Sequence, residues 1–121
     1  MTKRVLVVED TEDNRQILRD LLEVAGYGIV EANDGLQGVA KAIETNPDLI
    51  LMDMQMPGID GYEATRRIRA NESTNGIPII AVTSFALSGD QEKAMAAGCD
   101  DYVAKPYSPR ALLAKIRSYL D

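Results

Sequence analysis

A chain of 121 residues is long enough for one domain whose single core buries about two thirds of the surface the unfolded chain exposes, and too short for two. Hydrophobic residues at 45% and charged residues at 26% exclude a disordered or membrane-embedded class, and a net charge of −6 without a basic run argues against nucleic acid as a partner. The complete absence of histidine removes Ser-His-Asp catalysis, Cys-His catalysis and histidine metal sites together, which leaves carboxylates, hydroxyls and lysine for any chemistry.

The basic start, Met1-Thr2-Lys3-Arg4, leads into an apolar run over 5–8 that Glu9 and Asp10 interrupt. That run is too short for a signal peptide or a membrane span, and it reads as a first strand. Ile17, Leu18, Leu21, Leu22 and Ala25 then form one apolar face, predicting a helix that Gly26 stops. A second strand over 28–32, ending Glu31-Ala32, looks like an edge of the sheet.

Asn33-Asp34-Gly35 turns the chain into a second helix with Leu36, Val39, Ala40 and Ile43 inward, closed by Asn46-Pro47. A third strand over 49–52 precedes a third helix after Gly61, with Tyr62, Thr65 and Ile68 inward. The fourth strand spans 77–82. The helix after it, over 86–97 with Leu87, Ala94 and Met95, is weakened by Ser88-Gly89 and is expected to be the least stable of five. Cys99, the sole cysteine, reads as a small buried residue, and its solitude fits a reducing cytoplasm. A fifth strand over 102–104 is followed by a helix capped at Ser108-Pro109, with Leu112, Leu113, Ile116 and Leu120 inward.

Five alternating strand and helix units imply a doubly wound parallel sheet with right-handed crossovers and helices on both faces. The commonest strand order for such a sheet, the flavodoxin-like 2-1-3-4-5, is the expectation here. Ligands then bind at the carboxyl ends of strands 1 and 3. Read off in sequence, those ends and their neighbours offer Glu9, Asp10, Asp53, Thr83 and Lys105, all on one edge of the sheet.

Carboxylates gathered this closely raise each other's pKa unless a cation lies among them, and an all-oxygen, incomplete cage suits Mg²⁺ better than Ca²⁺. In this reading Asp10 and Asp53 are direct ligands and Glu9 acts on a metal-bound water. Asp53 is then placed to attack phosphorus in line and form an aspartyl phosphate, with Lys105 and Thr83 completing a clamp on the phosphoryl oxygens.

The stretches V-V-E-D at 7–10, L-M-D-M-Q-M-P-G at 51–58, V-T-S at 82–84 and A-K-P at 104–106, in this order and spacing, resemble the receiver domains of bacterial two-component response regulators. The resemblance runs from end to end and implies a stand-alone receiver over residues 1–121 with no output domain. It implies that Asp53 is the phosphoacceptor, that Glu9 and Asp10 form the acidic pair, and that the backbone carbonyl of Gln55 is a further Mg²⁺ ligand. It also implies a cis bond between Lys105 and Pro106. Glu9 stands where many relatives carry aspartate, which leaves the charge unchanged.

By the same analogy Thr83 is the switch hydroxyl and Tyr102 the aromatic that rotates inward, although a tyrosine in a strand is also ordinary packing. Gln55 and Phe85 flank the phosphoryl site at positions tied to the lifetime of the acyl phosphate. Phe85 either shields the phosphoryl group from water or simply anchors the fourth helix. The implied partners are a histidine kinase or histidine phosphotransfer protein upstream. Downstream, a protein target is expected to meet the face made by helix 4, strand 5 and helix 5, with Arg110, Lys115, Arg117 and Tyr119 near its solvated side. Neither nucleic acid nor membrane is expected as a partner.

Three rivals share parts of this pattern. A flavin-binding module would need a phosphate cradle where the loop carries Glu9, Asp10, Glu12 and Asp13. A Mg²⁺-dependent phosphatase with an aspartyl intermediate would pair a second acid where Gln55 stands. A calcium loop over 9–14 lacks the required glycine.

Overall fold

In a computed structural model, which describes residues 2–84 and 89–121, ten elements alternate along the chain. They are β1 (Arg4–Val8), α1 (Glu12–Val24), β2 (Gly28–Ala32), α2 (Gly35–Thr45), β3 (Leu49–Asp53), α3 (Gly61–Ala70), β4 (Ile79–Thr83), α4 (Asp90–Ala97), β5 (Asp101–Ala104) and α5 (Pro109–Leu120). The five strands pair in parallel in the order β2-β1-β3-β4-β5, the order expected from the sequence. Among the described residues no helix is long and apolar enough to cross a membrane.

Alternate residues of the central strands serve two separate cores. Val5 and Val7 of β1, Leu49 and Leu51 of β3 and Ile80 of β4 pack with Leu18 and Leu22 of α1 and Leu112 and Ile116 of α5. Their neighbours Leu6, Val8, Ile50, Met52, Ile79 and Ala81 pack on the other face with Ala42 of α2, Ile68 of α3 and Ala94 of α4. Burial on both faces is why these strands read as unbroken apolar runs rather than alternating ones. The edge strand β2, half-buried over its first four residues, can afford Glu31.

Helix ends follow the local chemistry. Asp34, Asp60 and Ser108 each accept from a backbone N–H three residues on (Gln37, Glu63 and Ala111), satisfying a donor that the first helical turn leaves open. Asn46, at φ 46°, closes α2 in the left-handed region.

Several expectations are corrected. Leu36, Ala40 and Ile43 of α2 are exposed, while Val39 is half-buried and packs against the core; the buried face carries Gly38 against Val8 of β1, Ala42 in the core and Gly35 against Ile59. A Cβ on Gly38 would sit 2.8 Å from Cγ1 of Val8, so the helix lies too close to β1 for large side chains to come between them. Ile17 of α1 is likewise exposed, with Leu18 and Leu22 turned inward, and Met95 of α4 is exposed while Ala94 and Ala97 are buried. Strand β4 begins at Ile79 rather than at 77, since Pro78 has no N–H for the ladder and enters it only through its carbonyl, which accepts from Ile50 N–H. Asp53 and Thr83 are the last residues of their strands rather than the first after them. Helix α4 starts at Asp90, and the expected start over 86–88, like Phe85, lies outside the described residues.

Candidate functional site

Because β1 and β3 are neighbours while their following helices pass to opposite faces, a crevice opens at their carboxyl ends. Into it project Glu9, just past β1, and Asp53, closing β3, both almost fully buried, with the exposed Asp10 beside them. Each of the three acids brings one carboxylate oxygen within 4.8 Å of the others.

Lys105, one residue beyond β5, reaches the same place. Its Nζ lies 3.2 Å from Oε1 of Glu9 and 3.8 Å from Oδ1 of Asp53. The bond between Lys105 and Pro106 is cis, and Lys105 N–H donates to the carbonyl of Thr83 at 2.7 Å, so β5 delivers the lysine next to the end of β4. Thr83 is fully buried there, opposite Ala104 in the ladder. Tyr102 sits half-buried in β5 opposite Ala81.

Gln55 ties these pieces together. Its backbone N–H donates to Oδ1 of Asp53 at 3.1 Å, its side-chain Nε2 donates to Oγ1 of Thr83 at 2.8 Å, and its Oε1 accepts from Ser84 N–H at 2.8 Å. Immediately beyond, Gly61 starts α3 against the same loop. A Cβ at that position would come within 2.3 Å of the Asp53 carbonyl oxygen, so a residue without a side chain is needed for the helix to pack here.

The electrostatics are those of a site short of positive charge. Burial, and then the hydrogen bond to Glu9, push Asp53 up to about 7, against the opposing pull of Gln55 N–H and Lys105. Glu9 is buried too, but hydrogen bonds from Asp53 and Asp10 together with the Lys105 ammonium outweigh that burial and bring it down to about 2. The contact with Glu9 also raises Asp10. Without a cation, the surroundings thus favour the protonated form of Asp53 and the ionised form of Glu9. When all are ionised, three carboxylates against one ammonium leave a surplus of two negative charges, which one divalent cation would cancel.

Two features of the site left no mark that sequence reading could use. Arg15 of α1 turns back to donate from Nη1 to the carbonyl of Glu9 at 2.7 Å and also pairs with Glu12 and Glu31, which pins the loop carrying the acids. In the sequence it is one basic residue in a charged first turn. The second is a cavity of about 300 Å³ beside the acids, walled by Ile17, Leu18, Pro106 and Tyr107. Ile17, exposed on α1, forms part of its wall.

Comparison with known proteins agrees with this geometry. The model of the response regulator receiver domain family matches residues 5–117. The chain is similar to the polar-differentiation response regulator DivK of Brucella ovis, at 44% identity, and to that of Brucella anthropi, at 42%, each alignment covering 99% of this chain and 98% of the relative. Among solved structures it is similar to the receiver domain of the sensor histidine kinase PA1611 from Pseudomonas aeruginosa, which has a magnesium ion coordinated in its active-site cleft. That match has 39% identity and a TM-score of 0.92 and covers 99% of this chain and 98% of that one. It is also similar to the chemotaxis protein CheY4 of Vibrio cholerae, at 28% identity and a TM-score of 0.93, covering 98% of this chain and 99% of the other. Fold, acidic crevice and sequence likeness lead to one conclusion: the chain belongs to the response regulator receiver family.

Proposed function

We propose that this protein accepts a phosphoryl group on Asp53 from a phosphohistidine of a partner kinase or phosphotransfer protein, with Mg²⁺ bound among Glu9, Asp10 and Asp53. The observation that carries the reading is the convergence of these three acids and Lys105 at one point of the sheet edge. The residues present fit the ion. The donors are all oxygen, two of the three acids are buried, and the charge surplus matches a divalent cation. Asp10, Asp53 and the Gln55 carbonyl would hold it, with Glu9 engaging its water shell. When bound, the ion supplies positive charge that offsets the repulsion between an incoming phosphoryl group and the acids.

The chain's own groups account for the rest. An Asp53 carboxylate oxygen attacks phosphorus in line. The P–O bond forms as the P–N bond to the donor imidazole breaks, and the bonding pair leaves with that nitrogen. Lys105 stands where its ammonium pairs with a phosphoryl oxygen, and Thr83 offers a hydroxyl to another. Gln55 N–H, already bonded to Asp53, fixes the orientation of the carboxyl group.

Output is proposed to pass through the face formed by α4, β5 and α5. There Arg110 and Arg117 are exposed, Lys115 pairs with Asp101 at 3.0 Å, and the Tyr119 hydroxyl donates to the Asp100 carbonyl at 3.2 Å. Thr83 and Tyr102 link that face to the phosphoryl site as the proposed switch pair. The test of the central step is incubation with Mg²⁺ and acetyl phosphate followed by intact mass measurement. Wild type is expected to gain one phosphoryl group and Asp53→Asn none. Equal gain in both would place the acceptor elsewhere.

A further inference from the structure

Gln55 has a side chain that the acceptor chemistry does not call for, yet its carboxamide makes two well-formed hydrogen bonds across the mouth of the site. The orientation of that amide is fixed by its partners. Ser84 N–H can only donate, so the amide oxygen must face it, and the NH₂ group is thereby turned to Oγ1 of Thr83. These are the end of β4 and the residue after it, and they lie beside Asp53, to which Gln55 is itself bonded through its backbone.

A phosphoryl group on Asp53 brings three strongly accepting oxygens into this space. Lys105 can serve one of them. The nearby Thr83 hydroxyl and Ser84 N–H are the natural donors for the others, and the Gln55 carboxamide engages both groups in the resting protein. From this geometry we infer that Gln55 is a resting-state latch. Its carboxamide holds the β3 loop to the end of β4. The one Ser84 N–H is committed to the Gln55 oxygen, so phosphorylation must break that bond before Ser84 turns to a phosphoryl oxygen, whereas Thr83 accepts from Gln55 and that bond does not occupy its hydroxyl proton. Gln55 is therefore a positioning residue that sets how readily the domain switches. This inference rests on the phosphoacceptor reading and adds to it a means of regulation.

The Ser84 hydrogen bond lost on switching is a neutral one, modest in net terms, so removing it should shift the equilibrium by about three- to tenfold. The test uses beryllofluoride with Mg²⁺ as a phosphoryl mimic on the full chain, comparing wild type with Gln55→Met, which keeps the volume and the backbone carbonyl but neither hydrogen bond. Gln55→Ala is a second variant, expected to move in the same direction. Both should bind the mimic about three- to tenfold more tightly. In the metal-free, unphosphorylated protein, the Ser84 amide should exchange its hydrogen faster than in wild type.

Both results are required. Affinity that is unchanged, or weaker because the carboxamide donates to the phosphoryl group, overturns the latch, as does unaltered Ser84 exchange. Wild type that takes up no beryllofluoride overturns the phosphoacceptor reading and the latch with it, whereas wild type that binds while the variants match it overturns the latch alone.

Discussion

Asp53 holds its proton in the folded, metal-free protein up to about pH 7, while the same side chain in the unfolded chain releases it near 3.8. Between those values the folded state binds more protons, so raising the pH favours unfolding, and stability should fall from about pH 4 to pH 7. Glu9 works in the opposite sense and in a lower window. Its pKa is depressed from 4.5 to about 2, so its contribution is complete above 4.5 and is lost only as the pH drops toward 2. Urea midpoints measured with a chelator present should therefore decline across pH 4 to 7 in wild type and stay nearly level in Asp53→Asn. A wild-type midpoint that rises over that interval contradicts the assignment. The acids and Lys105 were legible in the sequence because each stands where an apolar run ends. The side-chain bridge made by Gln55 was not, since nothing in a linear pattern says that a residue after β3 will meet the end of β4.

Helix α2 shows how a single position alters a packing argument. Leu36, Val39, Ala40 and Ile43 have helical spacing and predict the inward face, yet of these only Val39 packs against the core, and the fully buried positions are the small residues Gly35, Gly38 and Ala42. An apolar period shows that a helix exists more reliably than it shows which of two adjacent stripes is buried, because close approach favours residues that hydropathy hardly marks. Gly38→Ala should destabilise the protein by about 1–3 kcal/mol, since Val8 is a stiff side chain in a filled core. Ile43→Lys, on the exposed side, should stay within about 0.5 kcal/mol of wild type. Denaturant titration of the two variants checks the pair, and reversed magnitudes would refute the packing.

A second element-scale device is Arg69, at the end of α3, which donates to the carbonyls of Gly98, Asn75 and Ile77 and to Asp100. It thereby ties α3 to the segments flanking β4 and β5. Arg69→Ala leaves those partly covered carbonyls without their donor and should cost about 1–3 kcal/mol. Amide exchange at Ile79 and Gly98 would report the loosening, and unchanged protection there would show the staple to be dispensable.

Across the whole molecule, two cores hold one sheet between them, with α1 and α5 on one face and α2, α3 and α4 on the other. That division, together with the adjacency of β1 and β3, opens the crevice in which acids 44 positions apart in the chain (Glu9 and Asp53) come together. The alternation of strands and helices was legible because unbroken apolar runs interleave with helical periods, whereas the strand order was not in the sequence itself: it was the commonest order for such a sheet, and with it the site fell at the ends of β1 and β3. The cavity walled by Ile17 and Tyr107 was not legible either, because it depends on how α1 and the segment after β5 meet in space. The central claim is that Glu9, Asp10 and Asp53 gather round one divalent ion. Its most direct test is anomalous diffraction from crystals grown with Mn²⁺ in place of Mg²⁺. The account predicts one peak at about 2 Å from the carboxylate oxygens of Asp10 and Asp53 and the carbonyl of Gln55. Ordered side chains with no peak between them, or a peak bound elsewhere, would contradict it.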